Sequence, residues 1–190
     1  MTTDKRLIEA AAELLDAGGE DAVTLRAVGH AAGVSHNAPY KHFANRSALL
    51  AAVAAVSFAD LAEAMATIRR SRRTPTKKLM ATLNLFMDYS REHPARYRLL
   101  FNNRETAAAG GELKTKALET FEHFRSIVQE CQQANDLPSA PSETLASLIF
   151  ATVHGLLAIE GNGQLHPEKG LSSVEASMEI LLALLAPAKT

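Results

Sequence analysis

The side chains best suited to chemistry in this sequence are hydrogen-bonding groups crowded between Thr24 and Arg46. Ser35, His36 and Asn37 follow Gly33-Val34, and Tyr40, Lys41 and His42 follow Pro39. Asparagine can make a two-bond pair with adenine. His36 and Asn37, at the start of a short helix, are therefore candidates for reading base edges. Lys41 can serve a phosphate or a base edge, or stand solvated. Ser35 can cap the helix or touch a phosphate. Pro39 costs little if the helix begins at Asn37, but one backbone hydrogen bond is lost if Ser35 is the cap. With Ala38 it forms a stiff apolar ridge that could meet a thymine methyl, or it only shapes the turn.

Other chemistries find little support. His30, His36 and His42 recur every six residues and spread around a helical surface without a cysteine cluster, so no metal site is expected. Cys131 has only His123 near it in sequence, which does not make a catalytic thiol. Gly155, Gly161 and Gly163 follow no strand and form no nucleotide loop. Neither an acid–base pair nor a nucleophile motif stands out. The expectation is a protein that is not an enzyme and carries no cofactor.

Two short helices must hold the Thr24–Arg46 residues. Thr24 is placed to cap Leu25–Ala32, which ends at Gly33, and Ser35 opens a third element reaching Phe43. A tight glycine-containing turn between short helices is a helix-turn-helix signature. Leu25, Val28 and Ala32 face inward, and Ala27 and Ala31 are small enough for close approach. Before them, Leu7, Ala11, Leu14 and Leu15 have helical spacing, with Thr3 or Asp4 as cap and Gly18-Gly19 as stop. In such a three-helix head the second short helix enters a major groove and the preceding one crosses the backbone. Thr24 and Arg26, at the start of that preceding helix, can then receive a phosphate.

Beyond the head, Asn45 should cap a long helix from about Arg46 to Ile68. Further helices carry Leu79, Leu83, Phe86 and Met87; then Tyr97, Leu100 and Phe101; then residues from about Glu112 to Ala134. Two strongly apolar helices close the chain, one with Leu145 to Leu156 and one with Leu171 to Leu185. Ala107–Gly111 reads as a small-residue loop. The fold class is all-α: a three-helix head and a helical bundle body, about nine helices in total.

The chain has 190 residues, 47% hydrophobic and 22% charged, with a net charge of −1 and one cysteine. Such a composition buries a core and excludes both a disordered tail and a disulfide framework. It also excludes a protein that coats nucleic acid through bulk charge. Charge is segregated within residues 1–50. Asp4, Glu9, Glu13, Asp16, Glu20 and Asp21 all precede Thr24, whereas Arg26, Lys41 and Arg46 follow it. A one-faced contact with DNA requires such a division. The run Arg69, Arg70, Arg72, Arg73, Lys77 and Lys78 reads as a solvated connector, about 33 Å along the long helix from the head. No uninterrupted apolar run reaches about 18 residues, so no membrane span is expected. The first residues lack the unbroken apolar stretch of a signal peptide, which favours the cytoplasm.

Thr24-Leu25-Arg26-Ala27-Val28-Gly29-His30-Ala31-Ala32-Gly33-Val34-Ser35, then Tyr40-Lys41-His42-Phe43, Arg46 and Leu49-Leu50, closely resemble the DNA-binding head of TetR-type transcriptional regulators. The resemblance spans roughly residues 5 to 52. It implies that Tyr40 contacts backbone phosphate, with its ring in the small core as the plainer alternative. His42 lies beside it on the same recognition helix. Arg46 stands where the family usually has lysine, so a phosphate contact is implied there too. Glu92-His93-Pro94-Ala95-Arg96-Tyr97 and Val153-His154-Gly155-Leu156 resemble the body of a TetR subgroup named for a Trp-His-Gly tripeptide, with Val153 in place of tryptophan.

The resemblance implies a homodimer on a palindromic operator, with residues 1–47 as DNA-binding domain and 48–190 as ligand-binding and dimerisation domain. The subunit contact would run through the last two helices, whose apolar stripes are wider than one core face needs. A pocket among the middle helices could be lined by Phe86, Met87, Tyr97, Phe101, Phe121, Phe124 and His154, which suits a hydrophobic or aromatic effector. The expectation is a ligand-responsive repressor. The alternative is a helical ligand carrier or protein-interaction dimer whose head does not read specific DNA.

Overall fold

A computed structural model describes residues 1–187, apart from the side chain of Ala107; the last three residues of the expected body lie outside. Ten α-helices and two single 3-10 turns account for the regular structure, with no strand among the described residues. The helices are α1 Thr3–Gly18, α2 Leu25–Ala31, α3 Ala38–His42, α4 Arg46–Arg70 and α5 Pro75–Glu92. They continue with α6 Pro94–Phe101, α7 Arg104–Ala108, α8 Gly111–Gln133, α9 Ser142–Gly161 and α10 Val174–Leu185. The chain divides into two compact units: residues 1–62 with 93–119, and residues 63–92 with 120–190.

The first unit is built on α1 to α3 and the opening part of α4. Leu7, Leu15, Val23, Val28 and Leu49 are fully buried, so the small head has a real apolar centre. Thr24 caps α2 as expected, its Oγ1 accepting the Ala27 N–H at 3.1 Å. Asn45 does the same for α4, its Oδ1 accepting the Ala48 N–H at 2.8 Å. The cap of α1 is displaced from the expected residues: Thr2 is the N-cap, and its hydroxyl bonds to the Asp4 carboxylate, holding that acid below its usual range.

α6 and α7 fold onto this head. Asp16 of α1 takes the Arg96 guanidinium at 2.7 Å and the His93 Nδ1 at 2.9 Å. The segment expected to be a loop is partly helical, because Asn103 caps α7 through the Thr106 N–H at 3.0 Å. Asn103 also donates to Glu20 at 2.8 Å, and Ser47 donates to Glu105 at 2.7 Å, so the start of the short helix is anchored twice.

The second unit has Leu79, Leu83, Ile127, Ile149 and Val153 at its centre. Arg91 ties α5 to α9 and α10 by pairing with Glu160 at 2.9 Å and Glu175 at 2.6 Å. Those two carboxylates hold its pKa above the ordinary arginine value. The basic run is less solvated than its composition suggests. Arg69 and Lys78 converge on Glu130 at 2.7 and 2.9 Å, and Arg70 pairs with Glu63 at 2.8 Å. Arg72, Arg73 and Lys77 are exposed.

Two helices, α4 and α9, are long and apolar enough by length and composition alone to cross a membrane. Each is interrupted by charges, Asp60 and Glu63 in α4 and Glu143 and Glu160 at the ends of α9, so neither is an unbroken apolar run. α4 buries more than half of its most apolar stretch inside the fold, as a core helix does.

Candidate nucleic-acid interface

The geometry of the turn starts with two glycines. Gly33 adopts φ +63°, a conformation that favours glycine. From there it closes α2: the Gly33 N–H donates to His30 O at 3.0 Å and the Val34 N–H to Gly29 O at 3.1 Å. This double bond pattern is a Schellman end. Gly29 lets the next helix approach, since a Cβ there would lie 3.0 Å from the Pro39 ring. Proline at the second position of α3 loses no helical hydrogen bond.

The helix therefore begins at Ala38, three residues later than a Ser35 start. Ser35 caps nothing with its side chain; its carbonyl accepts the Ala38 N–H at 2.9 Å in the turn. His36 and Asn37 precede α3 rather than forming its first turn. Pro39 is a correction to the contact set. It is buried against Gly29 and cannot offer a ridge to a thymine methyl.

The remaining candidates other than Arg46 are exposed on the head. Ser35, His36, Asn37, Lys41 and His42 are exposed, and Tyr40 is 59% exposed with its ring outside the core. Thr24 and Arg26 are exposed at the start of α2. Neither Arg26 nor Lys41 forms an ion pair among the described residues. Such cations break no ion pair on reaching a phosphate.

Arg46 is placed differently. Its Nε donates to Val23 O at 2.8 Å, its Nη2 donates to Glu20 O, and the Glu20 carboxylate lies 3.7 Å away. These bonds tie the start of α4 to the 3-10 turn before α2. Its guanidinium braces the head through these backbone carbonyls. Arg6 does a similar job from α1, donating to Ala32 O beside Gly33. Composition offered no signal for either brace, because both acceptors are backbone carbonyls.

The residues expected to line an effector pocket fall into two sets. Tyr97 and Phe101 belong to the first unit, their rings tilted against each other with centres 4.9 Å apart, and Phe58 is edge-on to Phe101 at 5.6 Å. Burial pushes the Tyr97 phenol well above its ordinary pKa. Phe86, Met87, Phe121, Phe124 and His154 belong to the second unit. Four of these surround Phe150, which the sequence reading missed. His154 lies 4.0 Å from its ring centre, Phe121 5.4 Å, Phe124 5.9 Å and Phe86 6.1 Å. Phe150 precedes His154 by four residues on α9, and that spacing was the available clue. Burial holds the His154 imidazole down to a pKa of about 3, so it is neutral. The rings pack on one another; a cleft of about 360 Å³ in this unit is lined instead by Leu79, Cys131, Leu137 and Leu182. Burial pushes the Cys131 thiol up to about 12. Among the described residues no group of three or more His, Cys, Asp or Glu side chains could hold a metal ion.

The first three helices, with an exposed recognition surface braced from α1 and α4, form a helix-turn-helix DNA-binding head. Residues 7–53 match the bacterial regulatory proteins of the tetR family, and residues 79–185 match a tetracyclin repressor-like C-terminal domain. The chain belongs to the tetR family and is a DNA-binding transcriptional regulator. None of the curated proteins matches its sequence. Among solved structures it is similar to a protein of unknown function from Rhodococcus sp. RHA1, at 26% identity and TM-score 0.82 over 98% of this chain and 97% of that one. FadR of Bacillus subtilis in complex with stearoyl-CoA has 19% identity and TM-score 0.67, covering 98% and 99%. SmeT, the repressor of a Stenotrophomonas maltophilia multidrug efflux pump, has 20% identity and TM-score 0.65, covering 97% and 89%.

Proposed function

We propose that this regulator is a ligand-responsive repressor that binds a palindromic operator as a homodimer in the cytoplasm. The observation that carries it is the braced turn presenting His36, Asn37, Tyr40 and Lys41 outward on a rigid head. His36 and Asn37 read base edges, while Tyr40, Lys41, Arg26, Thr24 and Ser35 hold phosphates. Residues 1–47 serve as the DNA-binding domain and 48–190 as the ligand-binding and dimerisation domain.

The subunit contact runs through α9 and α10. Only 28% of the most apolar stretch of α9 is buried within the chain. Leu148 and Ile159 on α9, and Ile180 and Leu184 on α10, stand exposed. Apolar faces of that extent mark an association surface, and a two-fold contact uses the same patch on both copies.

The effector is a hydrophobic or aromatic molecule that the aromatic residues of the body receive. The stearoyl-CoA bound by FadR and the efflux-pump control exercised by SmeT support an apolar ligand. The effector releases DNA by favouring a state in which α4 sets the two heads at the wrong spacing, which requires differential affinity for the two states.

Selection of bound duplexes from a random pool, followed by salt titration of the winner, tests the reading. A palindrome bound at about 10⁻⁸ to 10⁻¹¹ M is expected. Absence of enrichment over random DNA would overturn the repressor reading and favour a ligand carrier or interaction dimer.

A further inference from the structure

His36 and Asn37 can read bases only if the turn that carries them is held still, and that turn leaves α2 through a glycine. Gly33 stands at φ +63°, where glycine has a freedom that other residues lack. Rotation there would swing Ser35, His36 and Asn37 against α2. The peptide unit that joins Ala32 to Gly33 is held at both of its polar ends. Its N–H, on Gly33, donates to His30 O at 3.0 Å. Its carbonyl, on Ala32, accepts from Arg6 Nη2 of α1. The next unit is held through the Val34 N–H, which donates to Gly29 O at 3.1 Å.

Two of these three bonds lie within α2 and its own end, so they travel with that helix. The third comes from elsewhere. Arg6 stands 26 residues before Ala32, near the start of α1. Among the described residues it is the one side chain of another helix that hydrogen-bonds to the turn. Its guanidinium lies against the glycine, since a Cβ built on Gly33 would stand 3.5 Å from Nη2. Leu7, the next residue, is fully buried in the head and fixes this part of α1. A cationic donor makes a stronger hydrogen bond than a neutral one. Here it is spent on a carbonyl that α2 leaves open beyond its last turn.

We propose that Arg6 is a positioning residue for sequence recognition. By pinning the Ala32–Gly33 peptide to α1, it sets the orientation in which His36 and Asn37 meet base edges. It acts through those two residues, and the proposal rests on the operator reading given above. Hydrogen bonds to base edges demand placement within about 0.5 Å. Attraction to the phosphate backbone is independent of sequence and makes no such demand. Loss of Arg6 therefore weakens binding to the selected duplex and spares binding to an unrelated one.

Arg6→Met in the full chain tests it, against the duplex that the parent selects and a shuffled duplex of the same length. Methionine keeps an apolar stem, and binding is compared at a temperature where the helical circular dichroism of variant and parent agree. The ratio of the two affinities should fall about tenfold or more, nearly all of it on the selected duplex. The salt slope on the shuffled duplex should stay as in the parent. Without DNA, amide exchange at Gly33 and Val34 should quicken while that of Val28, inside α2, holds. An unchanged ratio would overturn the proposal, whatever the melting temperature does, because Arg6 would then only stabilise the head. So would an equal loss on both duplexes, the mark of a phosphate contact, or unchanged exchange at Gly33 and Val34. A parent that enriches no duplex takes down the operator reading and this proposal with it. A parent that selects its palindrome while Arg6→Met keeps the full ratio takes down this proposal alone.

Discussion

Asn37→Ala should relax operator preference at one base position by about 1–3 kcal/mol, seen by repeating the duplex selection with the variant. Lys41→Ala should behave otherwise. Binding should weaken evenly across sequences, and the slope of log affinity against log salt should fall by about one. Arg46→Met discriminates between two roles for one charge. A phosphate ligand would lower the salt slope. The brace seen here, with two donors on backbone carbonyls and the side chain 39% exposed, should instead leave the slope intact. It should cost about 1–2 kcal/mol of stability, a shift of several degrees in melting temperature. Sequence pattern anticipated that Ser35, His36, Asn37, Lys41 and His42 are exposed, because exposure follows from polar types at a turn. It did not reveal the carbonyl bonds of Arg46 or the packing of Pro39 on Gly29, because partners drawn from distant backbone carry no signature in composition.

Among the elements, the turn and the last helices offer the clearest tests. Gly33→Ala forces a side chain onto φ +63° and should destabilise the protein by about 1–2 kcal/mol, read by thermal unfolding. On the proposed subunit contact the parent sediments as a dimer in analytical ultracentrifugation, and Ile180→Glu, at an exposed apolar site on α10, should sediment as a folded monomer. An unchanged dimer would move the subunit contact away from α10. The helix expected from about Glu112 to Ala134 was legible nearly to the residue, as α8 spans Gly111–Gln133. α7 was not, since five residues of arginine, acid and small side chains have no apolar period. Its existence rests on Asn103 capping one end and on the Ser47–Glu105 bond. The start of α3 was ambiguous between Ser35 and Asn37 until the ring of Pro39 was seen packed on Gly29.

For the molecule as a whole, His154 sets an acid limit. Its folded pKa of about 3 lies below its ordinary value of 6.5, so the unfolded chain takes the proton first. The sign is that stability is full above about pH 6.5 and declines as pH falls toward 3. About 2 kcal/mol should be lost between pH 7 and pH 5. His154→Gln should flatten that part of the unfolding-against-pH profile, whatever its effect at neutrality. The all-helical architecture was legible from alanine and leucine periodicity. The grouping of aromatic residues was not, because ring-on-ring packing is decided by which helices meet. One consequence reaches beyond this chain. The outward-facing positions of the turn contribute nothing to the head's interior, whereas Gly29, Gly33, Pro39, Arg6 and Arg46 hold it rigid. Recognition and foldability are thus written in separate residues. Evolution, or a combinatorial library at His36, Asn37 and Lys41, can retarget such a head to new promoters without risking its collapse.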